Sequence, residues 1–335
     1  MKPNILFVDD EPLVLNGLRR MLRSHRKEWN ISFANSGDEA LSLFEERPYD
    51  IIISDMRMPK ITGDILLQEV AERYPECVRL VLSGHAELSN IIDVVAPAHQ
   101  FYAKPCDVNA LSKSIKTIHG ALQFTLDKDI LPRLIQTQHF PSRPEAIEKL
   151  WDAFGQENSN LEDIYNIISS DISMTAQVLR LVNSSFFGKA KSTLDLGQAI
   201  NTLGVEILKR LFKEANLFCS QNAVDSEMSR NTNHINALAN ELAERTKYIA
   251  SKNHASPECL REAQSAAMLY FMGYLARSSA AESSAEVNSN ELSTLLLTIW
   301  GFDEEIIDVI GQKGPVEHPK YGEISELLRQ ARLQP

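Results

Sequence analysis

Five short apolar runs recur through the first hundred residues, spaced so that one amphipathic helix fits in each gap. They are NILFV (4–8), ISFA (31–34), DIIIS (50–54), RLVLS (79–83) and QFYAK (100–104). Between them lie stretches such as PLVLNGLRRMLRSH and GDEALSLFEER, whose apolar residues fall three and four apart. Strand, helix, strand at this interval means right-handed crossovers, hence parallel pairing with helices on both faces of the sheet. The pattern predicts a doubly wound α/β domain with a five-stranded parallel sheet over residues 1–122. Its ligand site should lie beyond the carboxyl ends of the strands.

After about residue 106 the β rhythm stops. DVNALSKSIKTIHGALQFTL reads as the last helix of that domain running into a connector, 106–128. Helix-period segments follow, among them SNLEDIYNIISS, SMTAQVLRLVNSSFFG, DLGQAINTLGVEILKRLF, INALANELAERTKYIA and ECLREAQSAAMLYFMGYLA. Residues 129–335 are therefore expected to form an all-α domain. No fixed period recurs, which argues against a solenoid. ARSSAAESSAEVNSNE (276–291) reads as a mobile surface loop.

Charge narrows the function classes. The formal net charge is −11, and through residue 122 there are 14 basic and 17 acidic side chains, so neither half carries a basic excess. Phosphate backbones reward such an excess, so a nucleic-acid partner is not expected. No apolar run reaches the 18 or so residues of a membrane helix. Cys77, Cys106, Cys219 and Cys259 are far apart and form no CxxC pair, which predicts free thiols and a cytoplasmic location.

The ends of the strand runs carry residues that packing does not ask for. Asp9 and Asp10 follow the first, Asp55 the third and Lys104 closes the fifth, while Ser83 ends the fourth. Each alone has an ordinary reading: DDEP can start a helix at Pro12, Asp55 can be a turn residue, and Ser83 before Gly84 can be a cap. Together, at the converging tips of one sheet, they predict a pocket of three carboxylates and an ammonium. Such carboxylates repel one another, and Mg²⁺, a hard cation that takes oxygen ligands, relieves that repulsion. A carboxylate nucleophile can accept a phosphoryl group as an acyl phosphate. Asp55 is assigned that role, with Lys104 and Ser83 contacting phosphoryl oxygens.

ILFVDDEP, DIIISDMRMPKITG, LVLSG and FYAKP resemble, in order and spacing, the motifs of the response-regulator receiver domain of two-component signalling. The resemblance implies that Asp55 is the phospho-acceptor, that Asp10 binds Mg²⁺ directly, and that Asp9 acts through water. It implies a further ligand in the backbone carbonyl of Arg57, and an aromatic switch at Phe101 that moves with Ser83; Phe101 reads equally as plain core. Arg57 and His85, two residues beyond Asp55 and Ser83, are expected to overhang the acyl phosphate and set its lifetime.

ILPRLIQTQHFPSRPEAIEKL, LEDIYNIISSDISMTAQVLRLVNSSFFG and LGQAINTLGVEILKRLF resemble the HDOD output domain, a helical relative of metal-dependent HD hydrolases. An HD hydrolase holds its metal with a His-Asp pair. Here no histidine precedes an aspartate, and MLYFMGYLA puts Tyr270 and Phe271 where the pair is expected. His234, His254 and His318 are isolated and read as packing or surface residues. SSFFG (184–188) reads as core with a helix stop at Gly188, or as an exposed aromatic patch.

The resulting expectation is a response regulator that takes phosphate from a sensor histidine kinase or phosphotransfer protein. It would switch a non-catalytic HDOD domain that acts on a downstream signalling protein, one version being a cyclic-dinucleotide phosphodiesterase. The alternative is an output domain that itself binds or hydrolyses a cyclic dinucleotide. A homodimer through the face of the fourth and fifth strands is also envisaged.

Overall fold

The structure, a computed structural model, describes residues 2–84, 97–123, 131, 134–135, 140–156, 160–184, 192–214, 226–279, 288–312 and 314–333. They form two compact units, the first built on residues 1–138 and the second on most of the chain from 139 onward.

In the first unit the strands are β1 (Asn4–Val8), β2 (Asn30–Ala34), β3 (Ile51–Asp55), β4 (Val78–Ser83) and β5 (Gln100–Ala103). They pair in the order β2-β1-β3-β4-β5, every pair parallel. β3 and β4 are buried along their whole length, as strands covered on both faces must be. The strand boundaries differ from the sequence reading by a residue: β3 runs on through Asp55, which pairs with Leu82, and β4 begins at Val78. Among the described residues the helices of this unit are Pro12–Met21, Gly37–Glu46, Gly63–Arg73 and Val108–Gln123, with a 3₁₀ segment at Leu22–Lys27. Ser36 caps the second, its hydroxyl accepting from the Glu39 amide at 3.2 Å, while Pro12 starts the first.

The second unit is helical. At its centre lies helix Ile172–Asn183, in which every side chain from Ile172 to Val182 is buried. Its polar residues are bonded rather than exposed: Ser173 donates to the Phe140 carbonyl, and Thr175 to the Ile168 carbonyl at 2.9 Å. Helix Ser226–Lys252 packs against helix Pro257–Tyr270, and helix Pro319–Leu333 packs against both.

Two stretches with continuous helical periodicity are broken in the fold. Gly204, at φ +77°, separates Leu196–Leu203 from Val205–Lys213, a conformation open to glycine at little cost. The second break falls at Phe271, after which helix Met272–Ser279 begins. Gly273 lets that helix press onto the start of helix Ser289–Ile299: a β-carbon at Gly273 would lie 1.7 Å from the Ser289 carbonyl oxygen. The loop expected over 276–291 is helical at both ends, through Ser279 and from Ser289. Its residues 280–287 lie outside the described residues, as do Cys219 and residues 185–188 of SSFFG. Cys77, Cys106 and Cys259 are free thiols.

Candidate functional site

Parallel register sets the strand tips of the first unit level with one another. Val8 pairs with Ser54, so the residues that follow, Asp9 and Asp55, emerge side by side. Asp55 pairs with Leu82 and Ser83 with Ala103, which brings Lys104 to the same edge. The Lys104 amide donates to the Ser83 carbonyl at 2.7 Å, and the Lys104–Pro105 bond is cis.

Ligand atoms of Asp9, Asp10 and Asp55 all lie within 4.8 Å of one another, the one such metal-competent group of His, Cys, Asp or Glu among the described residues. Asp9 and Asp55 are buried and Asp10 half-buried. Lys104 Nζ lies 2.7 Å from Asp9 Oδ2 and 2.7 Å from Asp55 Oδ1. Asp9 is not a helix cap: its Oδ1 accepts from the Glu11 amide at 3.0 Å, and the helix starting at Pro12 has no side-chain cap.

The electrostatics follow from burial and crowding. Burial pushes the Asp55 carboxyl above its ordinary value; Lys104 opposes this and the Asp9 charge adds to it. Burial works against the charge on Lys104, but its hydrogen bonds to Asp55 and Asp9 outweigh that and hold its pKa above the ordinary value. Three carboxylates against one ammonium leave the pocket two charges negative when all are ionised.

Gly63 fixes the turn that follows Asp55. Its amide donates to the Met56 carbonyl at 2.8 Å, and a β-carbon on it would lie 2.1 Å from the Asp55 carbonyl oxygen. Glycine is required there by close backbone approach. Lys60, at φ +68°, turns the chain within the same loop.

Of the other assigned residues, Ser83 and Phe101 are buried and Arg57 is exposed. His85 lies outside the described residues. In the second unit, Tyr270 is buried where the His-Asp pair was expected, its ring 5.5 Å from that of Phe271 and 4.4 Å from the Arg332 guanidinium. The three isolated histidines have separate positions. His234 is exposed on helix Ser226–Lys252, and His254 takes the left-handed turn after that helix at φ +56°. The His318 carbonyl accepts from the Gly322 amide at 2.7 Å, at the start of the last helix. The sequence reading passed over Arg79 and His99. A charged residue and an imidazole at the starts of apolar runs look like strand boundaries, yet both are buried.

A sheet ordered β2-β1-β3-β4-β5 with a buried acidic pocket at its carboxyl edge is the architecture of a response-regulator receiver. The family model of the response regulator receiver domain matches residues 5–116, and that of the HDOD domain matches residues 140–286. The chain thus carries a response regulator receiver domain followed by an HDOD domain. It is similar to the hydrogenase transcriptional regulatory protein HoxA of Cupriavidus necator, 32% identical over 176 residues, covering 52% of this chain and 36% of that protein. It is also similar to the transcriptional regulatory protein DegU of Brevibacillus brevis, 30% identical over 118 residues, covering 35% of this chain and 50% of that protein. The chain thus spans between about a third and a half of the length of these relatives. Among solved structures it matches the signal receiver domain of an HD domain-containing protein from Pseudomonas fluorescens Pf-5. That match is 27% identical and covers 35% of this chain and 93% of that one, with a TM-score of 0.33. No helix among the described residues is long and apolar enough to cross a membrane.

Proposed function

We propose that the protein is a phosphorylation-switched regulator whose phospho-acceptor is Asp55. The observation that carries this is the buried Asp9–Asp55–Lys104 group, with Asp10 beside it. A carboxylate oxygen of Asp55 attacks the phosphorus of a phosphohistidine on a sensor kinase or phosphotransfer protein. The P–N bond breaks and the imidazole leaves with a proton. Lys104, already within reach of Asp55, pairs with a phosphoryl oxygen, and the Ser83 hydroxyl donates to another. Asp9, Asp10, Asp55 and the Arg57 backbone carbonyl are an all-oxygen donor set that suits Mg²⁺. When bound, Mg²⁺ supplies positive charge that offsets the carboxylates and the incoming phosphoryl group.

The added charge of about −1.5 to −2 then redistributes the receiver between two states. Reversing a 1:99 population requires about 5.5 kcal/mol of differential stabilisation, which new phosphoryl contacts with Lys104, Ser83 and bound Mg²⁺ would supply. The HDOD domain passes this state to a partner protein, for which an HD-type cyclic-dinucleotide phosphodiesterase is a candidate on shared fold alone. Incubation with a small-molecule phosphoryl donor and Mg²⁺, followed by intact-mass measurement, should add one phosphoryl group to the wild type and none to Asp55→Asn. Equal labelling of both would refute the assignment. Slower phosphate loss from the wild type than from Arg57→Ala or His85→Ala would support their overhang of the acyl phosphate; equal decay would remove it.

A second reading has one observation in its favour. An open cavity of about 660 Å³ in the helical unit is lined by Tyr165, Asp195, Gln198, Asn201, Glu258 and Arg261. Its size falls in the range of small-molecule sites, which supports a ligand-binding output domain. A rise in melting temperature with a cyclic dinucleotide would favour this reading; no shift at saturating concentrations would remove it.

A further inference from the structure

Arg79 is fully buried within a parallel sheet. Among the described residues its guanidinium meets three carbonyls and, at 3.4 Å from Nη2, the Nε2 atom of His99, but no carboxylate. Nε donates to the Pro97 carbonyl at 2.7 Å, Nη1 to the Cys77 carbonyl at 2.8 Å and Nη2 to the Ile135 carbonyl at 3.4 Å. Burial lowers its pKa to about 10, a sign of how unfavourable the site is for a cation. Retaining a guanidinium there ties three backbone segments together: the start of β4, the approach to β5, and the connector that follows helix Val108–Gln123.

His99 makes the same connection. Its amide donates to the Arg79 carbonyl at 2.7 Å, extending the β4–β5 ladder by one residue. Its Nδ1 lies 2.9 Å from the Arg79 amide nitrogen, which can only donate, so Nδ1 is the acceptor. The proton therefore sits on Nε2, which donates to the Ile135 carbonyl at 2.7 Å. Leu134 and Ile135 are both buried.

These contacts continue the column that begins at the acidic pocket. Alternate strand residues share a face, so Arg79, Val81 and Ser83 align on β4, and Phe101 and Ala103 on β5, with His99 one residue before that strand continuing the row. Val81 pairs with Phe101, and Ser83 with Ala103 next to Lys104. Ser83, Val81, Phe101, His99 and Arg79 are all buried, so no solvent gap interrupts the column. It ends on the connector. In this structure Lys104 bridges Asp9 and Asp55, and the Ile135 carbonyl is held.

We propose that Arg79 and His99 clamp the connector at Ile135 onto the receiver, and that phosphorylation opens the clamp by drawing Phe101 toward Ser83. This rests on the reading of Asp55 as phospho-acceptor. Phe101 is two residues from His99 on the same face, and the imidazole is pinned from both sides. A shift of about an ångström takes bonds of this length out of range on one side or the other. Arg79 and His99 are positioning residues; neither touches the phosphoryl group.

Hydrogen exchange on the full chain tests this, with and without beryllofluoride and Mg²⁺. In the wild type, beryllofluoride should slow exchange in a peptide over β3 to Gly63 and speed it at least tenfold in a peptide over residues 131–140. His99→Phe, which keeps a ring but not its nitrogens, should exchange fast at 131–140 in both conditions while its β3 peptide still responds. A β3 response with no change at 131–140 in the wild type, or a wild-type response in His99→Phe, would overturn the clamp and leave the phospho-acceptor reading standing. Absence of any response at β3 would remove both. A second readout needs no variant: imidazole ¹⁵N spectra of the wild type should show His99 as the Nε2–H tautomer, and beryllofluoride should relax that restriction. An unchanged His99 signal in a protein whose β3 peptide responds would also overturn the proposal.

Discussion

Gly63 closes the turn after β3, and a methyl group there has no free space. The β-carbon of an alanine would lie 2.1 Å from the Asp55 carbonyl oxygen and 2.8 Å from the Met56 α-carbon. Both obstacles are backbone atoms, so no side chain can rotate away. Restoring an ordinary carbon–oxygen contact of about 3.4 Å requires a shift of more than an ångström. That movement breaks the 2.8 Å bond from the Gly63 amide to the Met56 carbonyl. Overpacking costs typically 1–3 kcal/mol and a lost hydrogen bond about 1 kcal/mol, so Gly63→Ala should destabilise the receiver by roughly 2–4 kcal/mol. At 1.4 kcal/mol per decade, exchange of the slowest β1 and β3 amides should accelerate by about thirtyfold to several hundredfold. The displaced backbone carries Asp55, so phosphorylation by a small-molecule donor should also slow by about a hundredfold, the usual penalty for a misplacement of this size. Exchange within twofold of wild type, with normal phosphorylation, would show that the turn relaxes freely and would refute the close-approach argument.

Asp55→Asn should stabilise the receiver at neutral pH in the absence of divalent cations. Because burial raises the folded-state pKa of Asp55, the wild type gains stability from this group as pH falls through that raised value toward 3.8, a trend the Asn variant should lack. Chemical denaturation across that window in EDTA reads both effects. Asp195 has the opposite sign. Burial alone would raise it, but hydrogen bonds from Arg261 at 2.9 and 2.6 Å hold it below 3.8. Its contribution is complete above pH 3.8 and disappears as pH falls through the lower folded value. Arg261→Met should therefore destabilise the helical unit by about 1–2 kcal/mol at pH 7, discounted for the partial exposure of the arginine, with the difference vanishing in strong acid. Gly273→Ala should cost the helical unit about 3 kcal/mol or more, because the added carbon would lie 1.7 Å from the Ser289 carbonyl oxygen; a melting temperature within a degree of wild type would contradict this.

The receiver was legible because a parallel strand covered on both faces is an almost unbroken apolar run, and its polar tips then stand out against it. Asp9, Asp55, Ser83 and Lys104 announce themselves by being where packing would have chosen otherwise. Arg79 and His99 did not, since polar residues at the edge of an apolar run look like its boundary; only pairing with the connector shows that they lie inside. The helical unit was legible in kind but not in its joints. Periodicity runs through Gly204 and Phe271 without a phase break, and the stops come from a left-handed backbone at one and tight packing near the other. His254 could not be placed from sequence because its position is set by the φ of a turn, not by a neighbour in the pattern.

The fully enclosed helix Ile172–Asn183 has a consequence for how the second unit comes apart. With no side chain from Ile172 to Val182 reaching solvent, this segment cannot be peeled away by fraying. Its amides can exchange only when the surrounding helices separate together. Their exchange rate is therefore an internal gauge of the free energy of that unit, readable in the intact chain. Any partner or ligand that binds the folded unit would register there, however far from this helix it sits.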